Sequence, residues 1–281
     1  MMLRKNIVFV FVFIGYFSTT NAQSFFPRAG GGNLALAKIS ASSEGHWSAF
    51  LNPAGLSQSE GFGAGIYASN LYSVDNLYEG SAVLAYGKKD PGAFALGFYS
   101  LSASGAFQYS ILNATYSRRF EKVKGGVQFY FMNLNIPGYG SAWYVYGALG
   151  MQYELTDDLE VGAVIYNPSF QNISIESSFE DESLTNIPTI LNLGLKYSFS
   201  DKVKGHLQLG NSGNDELRFR TAIEYFPDDR LGLRGGISVQ PVEQYFGVAF
   251  KMKEMILNVS FAYHPELQFT PGADLNFSTF E

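Results

Sequence analysis

The stretch Ser48-Ala-Phe-Leu-Asn-Pro-Ala-Gly-Leu-Ser57 divides the chain into two parts with different residue patterns. Asn52-Pro53 predicts a turn, because proline fixes φ and disfavours helical backbone in the residue before it. Gly55 permits backbone angles that other residues resist. A leader and a small-residue, helix-like segment precede this stretch, and a long alternating pattern follows it. We therefore expect a hinge that delivers an N-terminal segment to the mouth of a β-structure.

Apolar and polar residues alternate with period two from residue 61 to the C-terminus, in segments of about ten residues. Short charged turns alternate with looser links, which we expect at residues 72–78, 102–108, 135–142, 167–187, 211–215, 240–244 and 265–272. The pattern predicts an all-β fold: an antiparallel transmembrane β-barrel of about fourteen strands, residues 61–281. A soluble β-sandwich or β-barrel would show the same alternation and remains an alternative at this point.

The first 22 residues have the features of a secretory signal peptide. Arg4 and Lys5 form a positive n-region, residues 7–17 form an apolar segment too short to span a bilayer, and cleavage is expected near Ala22. An N-terminal membrane anchor is the alternative. With a barrel following the leader, we expect the protein in the cell outer membrane, where lipid surrounds it.

Composition excludes several classes of protein. The chain has no cysteine, which excludes a disulfide scaffold, a thiolate metal site and a lipoprotein anchor. Its net charge of −6 gives no support for nucleic-acid binding. The three histidines do not have metal-ligand spacing, and no glycine-rich phosphate loop is present. We therefore expect no catalytic residue, no metal and no cofactor, and we do not expect an enzyme.

The run from Gly30 to Leu56 resembles the N-terminal hatch of the FadL-like outer-membrane barrels, a superfamily that includes the PorV and PorQ barrels associated with type IX secretion. Leu34-Ala-Leu-Ala37 and Ser48 to Leu56 carry the resemblance. It implies a helical hatch, residues 23–60, that plugs the barrel lumen. The residues expected to form the plug are Leu34, Leu36, Trp47, Phe50, Asn52, Pro53, Ala54, Gly55 and Leu56.

The predicted inward face is uneven around the barrel. Strands one to three offer small and neutral residues, against which we expect the hatch helix to pack. Later strands carry the charges expected in the lumen: Lys196, Lys204, Arg218, Arg220, Glu224 and Arg234. Buried charges must be paired or solvated. These charges therefore either neutralise one another or line a polar, anion-favouring pathway.

Two functions remain open. The favoured one is an accessory barrel of the PorV or PorQ type that binds a secretion translocon barrel or its cargo, because the predicted loops are short. The alternative is a FadL-like transporter that passes hydrophobic or small amphipathic ligands across the outer membrane. The accessory role predicts a sealed lumen, whereas the transporter predicts a ligand pocket beside the hatch and an opening.

Overall fold

The structure is a computed structural model that describes residues 27, 29–58, 60–88, 90–169, 172–174, 184–186, 188–211 and 217–279. The signal-peptide prediction for residues 1–22 lies outside the described residues. The barrel strands are β1 Gly61–Asn70, β2 Leu77–Lys88, β3 Gly92–Ala103, β4 Phe107–Phe120, β5 Val123–Ile136, β6 Gly140–Glu154, β7 Leu159–Tyr166, β8 Ile190–Ser200, β9 Val203–Asn211, β10 Leu217–Tyr225, β11 Leu231–Val239, β12 Glu243–Met252, β13 Met255–His264 and β14 Gln268–Ser278.

These fourteen strands form one closed antiparallel barrel, which confirms the predicted fold. Each strand pairs with its neighbours in sequence, and β1 closes the barrel on β14, from Gly63 opposite Ser278 to Ser69 opposite Gly272. A register shift between Ser198 and Ser200 interrupts the pairing of β8 with β9. Closure leaves the barrel sheet, over its described strands, without a free edge, which is the requirement for a sheet surrounded by hydrocarbon.

The two faces of the barrel differ in chemistry, as the alternation predicts. Large apolar side chains project outward, and Ile66, Leu96 and Phe199 are 60%, 59% and 65% exposed. The inward side chains include many polar residues that are nevertheless buried, such as Asn113 and Gln128. An apolar exterior around a polar interior is the reverse of a soluble protein and is typical of a membrane barrel.

Aromatic residues mark both ends of the apolar exterior. On β2, Tyr78 lies near the loop end and Tyr86 near the end that carries both termini, and both are at least half exposed. Eight residues of a tilted strand separate them, which corresponds to a band about 20 Å tall. The height approaches that of the hydrocarbon-facing band in outer-membrane barrels.

Several predicted loops are shorter in the structure because the strands extend into them. Strand β2 begins at Leu77, and β14 begins at Gln268 although residues 265–272 were predicted to form a loop. Pro271 pairs with Phe261 on β13, but the ladder with β1 begins only at Gly272. Pro271 therefore lies where one side of the strand has no ladder, and its missing N–H is tolerated there.

The remaining described elements are short. The N-terminal segment contains α1, Gly31–Ala35, and two 3₁₀ turns, His46–Phe50 and Pro53–Gln58. A third 3₁₀ turn, Leu71–Ser73, follows β1, and a two-stranded hairpin pairs Asn172–Ser174 with Leu184–Asn186 in the longest loop. No helix among the described residues is long and apolar enough to cross a membrane.

Candidate functional site: the hatch in the barrel lumen

The N-terminal segment lies inside the barrel and touches lumen-facing residues around its circumference. Helix α1 packs against β11 to β14, not against the small-residue face of β1 to β3, so that part of the prediction was wrong. Small barrel residues still explain the placement. A Cβ at Gly247 would lie 2.5 Å from Ala35, and a Cβ at Gly236 would lie 2.9 Å from Ala37. Helix α1 and the residues after it therefore approach the wall closely at glycines on β11 and β12, where no such contact was predicted.

The Asn52-Pro53 turn is fixed to the barrel by its own side chains. Asn52 donates through Nδ2 to Ala41 O at 2.7 Å and to Ala163 O on β7 at 3.2 Å, and its Oδ1 accepts from Ala54 N. A Cβ at the β6 residue Gly150 would lie 2.7 Å from the Pro53 ring. The turn is therefore anchored on β5 to β7 and is not a free hinge.

Gly55 is required by a close contact within the hatch. A Cβ at this position would lie 1.9 Å from Ser43 O, a distance that no side chain can accept. Gly55 also donates its N–H to Asn52 O, and its carbonyl accepts from Gly45 N. The neighbouring Ala54 and Leu56 are fully buried. The last part of the predicted motif thus forms the tightly packed base of the plug.

Aromatic side chains form the centre of the plug. Trp47 donates through Nε1 to Asn276 Oδ1 on β14 at 2.6 Å, and its ring lies 6.2 Å from that of Phe50. Phe50 is 1% exposed and sits over Gly97 on β3. Of the other predicted plug residues, Leu34 is buried beside Gly272, and Leu36 is half-buried.

Two ion pairs attach the first half of the hatch to the barrel. Lys38 Nζ lies 3.0 Å from Glu243 on β12, and Glu44 pairs with Lys196 on β8. Burial raises the pKa of the Glu44 carboxyl, but the positive charge of Lys196 outweighs it and holds the pKa below its usual range. The second half, around Phe50 and Asn52, is held by neutral contacts instead.

The predicted lumen charges have unequal surroundings. Arg234 donates to Glu224 at 2.5 Å, Lys204 lies directly opposite Glu224 in the sheet, and Arg218 donates to the carbonyl of Gln240. Arg220, by contrast, has no hydrogen-bond or ion-pair partner among the described residues, and its Nε is buried. Most of these charges are therefore paired or hydrogen-bonded, as one of the two interpretations predicts.

A series of linked, buried ion pairs was not predicted from the sequence. It runs from Lys196 through Glu160 to Lys124, which is fully buried and also lies 3.5 Å from Glu154. Glu154 in turn binds Arg119. The signal was present, because the hairpin register places Glu160 directly opposite Lys196. Pairing the predicted strands residue by residue would have shown this contact.

The barrel with its internal hatch has counterparts among solved structures, although no protein-family model and no curated protein sequence matches the chain. The monoaromatic hydrocarbon channel CymD aligns over 89% of this chain and 97% of its own, with a TM-score of 0.65 and 15% identity. A FadL homologue from Pseudomonas aeruginosa aligns over 89% and 97%, with a TM-score of 0.64 and 10% identity.

The fold is that of the FadL-type outer-membrane barrels. The Pseudomonas putida toluene transporter TodX shares it as well, over 90% of this chain and 98% of its own, with a TM-score of 0.61 and 15% identity. In the present chain the hatch lies in the lumen, where Phe50, Ala54 and Leu56 are buried. The described residues include no cluster of three or more His, Cys, Asp or Glu side chains that could hold a metal ion.

Proposed function

We propose that the protein is an outer-membrane channel that passes small hydrophobic compounds and that its hatch gates the passage. The observation that carries this proposal is the likeness, over about nine-tenths of the chain, to barrels named as a monoaromatic hydrocarbon channel and a toluene transporter. It favours the transporter alternative over the accessory role that the sequence favoured. The same proposal includes export directed by the N-terminal signal peptide, which is cleaved near Ala22.

The division of the hatch into two halves supports gating. Residues 46–56 are fixed by buried neutral contacts, among them Asn52 with β7 and Phe50 with β3. Residues 31–44 also make buried neutral contacts, such as the Ser40 and Ala41 N–H groups with Gln208, but they alone carry ion pairs to the described wall, through Lys38 and Glu44, and the Lys38 side chain is 23% exposed. Partly exposed ion pairs contribute little to stability and weaken in salt. We infer that the first half, which carries the ion pairs, is the part that moves to open a passage beside the second.

A reversible cross-link between hatch and barrel tests the proposal. The chain has no cysteine, so Ala37→Cys with Gly236→Cys introduces a single pair. The two Cβ positions lie 2.9 Å apart, and a shift of about 1 Å brings them to disulfide geometry. In cells that depend on this protein for toluene uptake, the oxidised pair should abolish uptake, and a reductant should restore it.

The single variants Ala37→Cys and Gly236→Cys are the matched controls, and both should transport in oxidising and reducing conditions. Uptake that continues in the cross-linked protein would show that this half of the hatch does not gate. Absence of toluene uptake in every form, with the barrel correctly inserted, would reject the channel function itself.

The packed lumen favours a second candidate, the partner-binding accessory barrel. Phe50, Ala54 and Leu56 have almost no exposed surface, and the strand ladder runs unbroken around the described wall except at the β8–β9 shift. Recovery of a translocon barrel or secreted cargo, in equal amount with the tagged protein from mild detergent, would support this candidate. Recovery of the barrel alone would count against it.

A further inference from the structure

A compact group of oxygen-bearing side chains lies in the lumen near the loop end, on β1, β2 and β3. It comprises Tyr67, Ser69, Glu79, Ser81 and Tyr99, which are between 3% and 6% exposed. The sheet register joins them, because Ser69 lies directly opposite Glu79 and Ser81 lies opposite both Tyr67 and Tyr99. Directly opposite residues have Cβ atoms about 5 Å apart. We name this group the Glu79 cluster.

The Glu79 carboxylate has hydrogen-bond donors but no counter-ion. Tyr67 donates to Oε1 at 3.0 Å and Tyr99 donates to Oε2 at 2.9 Å. Within the described part of the chain, no Lys, Arg or His forms an ion pair with it. The nearby Asp274 on β14, directly opposite Tyr67, has its own hydrogen-bond donors in Gly32 N, Asn258 and Asn276 and is not part of the cluster. A buried carboxylate without a counter-ion is unfavourable unless a bound cation or a proton neutralises it.

Two hydroxyls beside this carboxylate also lack partners. Ser69 Oγ and Ser81 Oγ are buried and make no hydrogen bond within the described residues. Buried hydroxyls that make no bond are unusual and point to an ion or water between them. Each Ser oxygen has lone pairs to offer a cation. Carboxylate, phenol and serine together supply six oxygens from three adjacent strands.

From this arrangement we propose that the Glu79 cluster binds a monovalent alkali cation, with sodium as the best match. Hard cations prefer oxygen ligands, and six is a common number of them. The cluster holds only one carboxylate, so a single positive charge neutralises it, whereas calcium sites use several carboxylates. The cation would tie β1, β2 and β3 together at the loop end of the lumen. The inference is independent of the proposed channel function.

Thermal unfolding of the purified full-length barrel in detergent tests the site. Sodium chloride replaces N-methyl-D-glucamine chloride at constant ionic strength and neutral pH. A ligand that binds only the folded barrel raises Tm as its concentration rises above Kd. We expect Tm to rise with sodium and to stay constant with the organic cation. Equal Tm values in both salts would overturn the proposal and leave a proton or an ordered water as the occupant.

Substitutions in the Glu79 cluster test whether the sodium-dependent rise in Tm comes from this site. Glu79→Gln keeps the shape but removes the charge, and it should weaken the sodium response by about tenfold or more, because bonds to charged groups are the stronger ones. Ser69→Ala with Ser81→Ala removes two ligands and should also weaken the sodium response. This double variant provides a second test if Glu79→Gln does not fold. A sodium response that survives in both variants contradicts the proposal.

Two control residues lie on other strands, β11 and β12. Ser238 is a buried serine whose hydroxyl already donates to Pro241 O, and Glu243 is a buried glutamate already paired with Lys38. Ser238→Ala and Glu243→Gln should retain the sodium response whatever their own Tm. Calcium in place of sodium completes the test, since stabilisation by calcium alone would refute the single-charge argument.

Discussion

At the scale of single residues, two arginines in the lumen differ in whether they have an ion-pair partner. Arg234 is paired with Glu224, whereas Arg220 has no partner among the described residues. Removing one member of a buried pair leaves the other uncompensated and costs about 3 kcal/mol or more. We therefore expect Arg234→Gln to lower the free energy of unfolding by that amount and Arg220→Gln to leave it unchanged or raise it. Urea unfolding in phospholipid vesicles measures both, and equal losses would show that Arg220 has a partner after all.

The Glu44–Lys196 pair predicts a dependence on acid. The folded-state pKa of Glu44 lies below its ordinary value, so the pair stabilises the hatch fully above that ordinary value. The stabilisation disappears as pH falls through the lower, folded-state pKa. The difference in stability between the wild type and Glu44→Gln should therefore be constant near neutral pH and vanish in acid. A difference that grows in acid would contradict the sign of the shift.

Local residue requirements were predictable, but partners were not. Asn52, Pro53 and Gly55 were identified as a turn from their own backbone preferences, and the structure places them in one. The pairing of Lys124 with Glu160 depends on a strand register that no single strand reveals. Arg220 was identified as an inward charge, but whether a partner lies near it depends on the three-dimensional packing of the lumen, which the sequence does not reveal.

At the scale of elements, the period-two pattern gave the number of strands and most of their limits. The errors fall at loops, where turn-forming residues such as Pro271 and Gly272 are held in β14 by pairing on β13. The predicted position of α1 was also wrong. Lumen-facing glycines occur on several strands, so small residues alone did not identify the strands that α1 contacts. Gly236 and Gly247 allow Ala37 and Ala35 to approach the barrel wall closely. The prediction for their strands considered only the charged residues.

The aromatic centre of the hatch gives a prediction about the whole element. Trp47→Ala with Phe50→Ala removes two large side chains from the plug and leaves a cavity that the remaining small residues do not fill. We expect larger single-channel conductance in planar bilayers and greater sensitivity of cells to large antibiotics. The matched control is Trp143→Ala with Phe131→Ala on the lipid face, where both rings are exposed. No change in conductance or sensitivity would mean that these rings do not seal the lumen.

At the scale of the whole molecule, alternation alone could not separate a membrane barrel from a soluble one. The closed register and the apolar exterior make the membrane barrel the consistent solution, since large side chains such as Ile66 and Leu96 project outward. Function was less accessible, because the same barrel and hatch suit a channel or an accessory barrel. The difference lies in whether the hatch moves, and that depends on the relative strength of its ionic and neutral contacts.

The placement of the barrel in a bilayer gives the last prediction. Ala82 faces outward on β2, midway between the aromatic residues Tyr78 and Tyr86. Arginine at the bilayer midplane costs about 2–4 kcal/mol, but only about 0–1 kcal/mol near the interface. Ala82→Arg should therefore destabilise the barrel in phospholipid vesicles by several times more than Tyr86→Arg. On a soluble barrel the exposed Ala82 would tolerate arginine with a change within about 0.5 kcal/mol. Urea titration of the two variants thus decides between the two architectures that share this pattern, and a small cost at both positions would place the outer face in water.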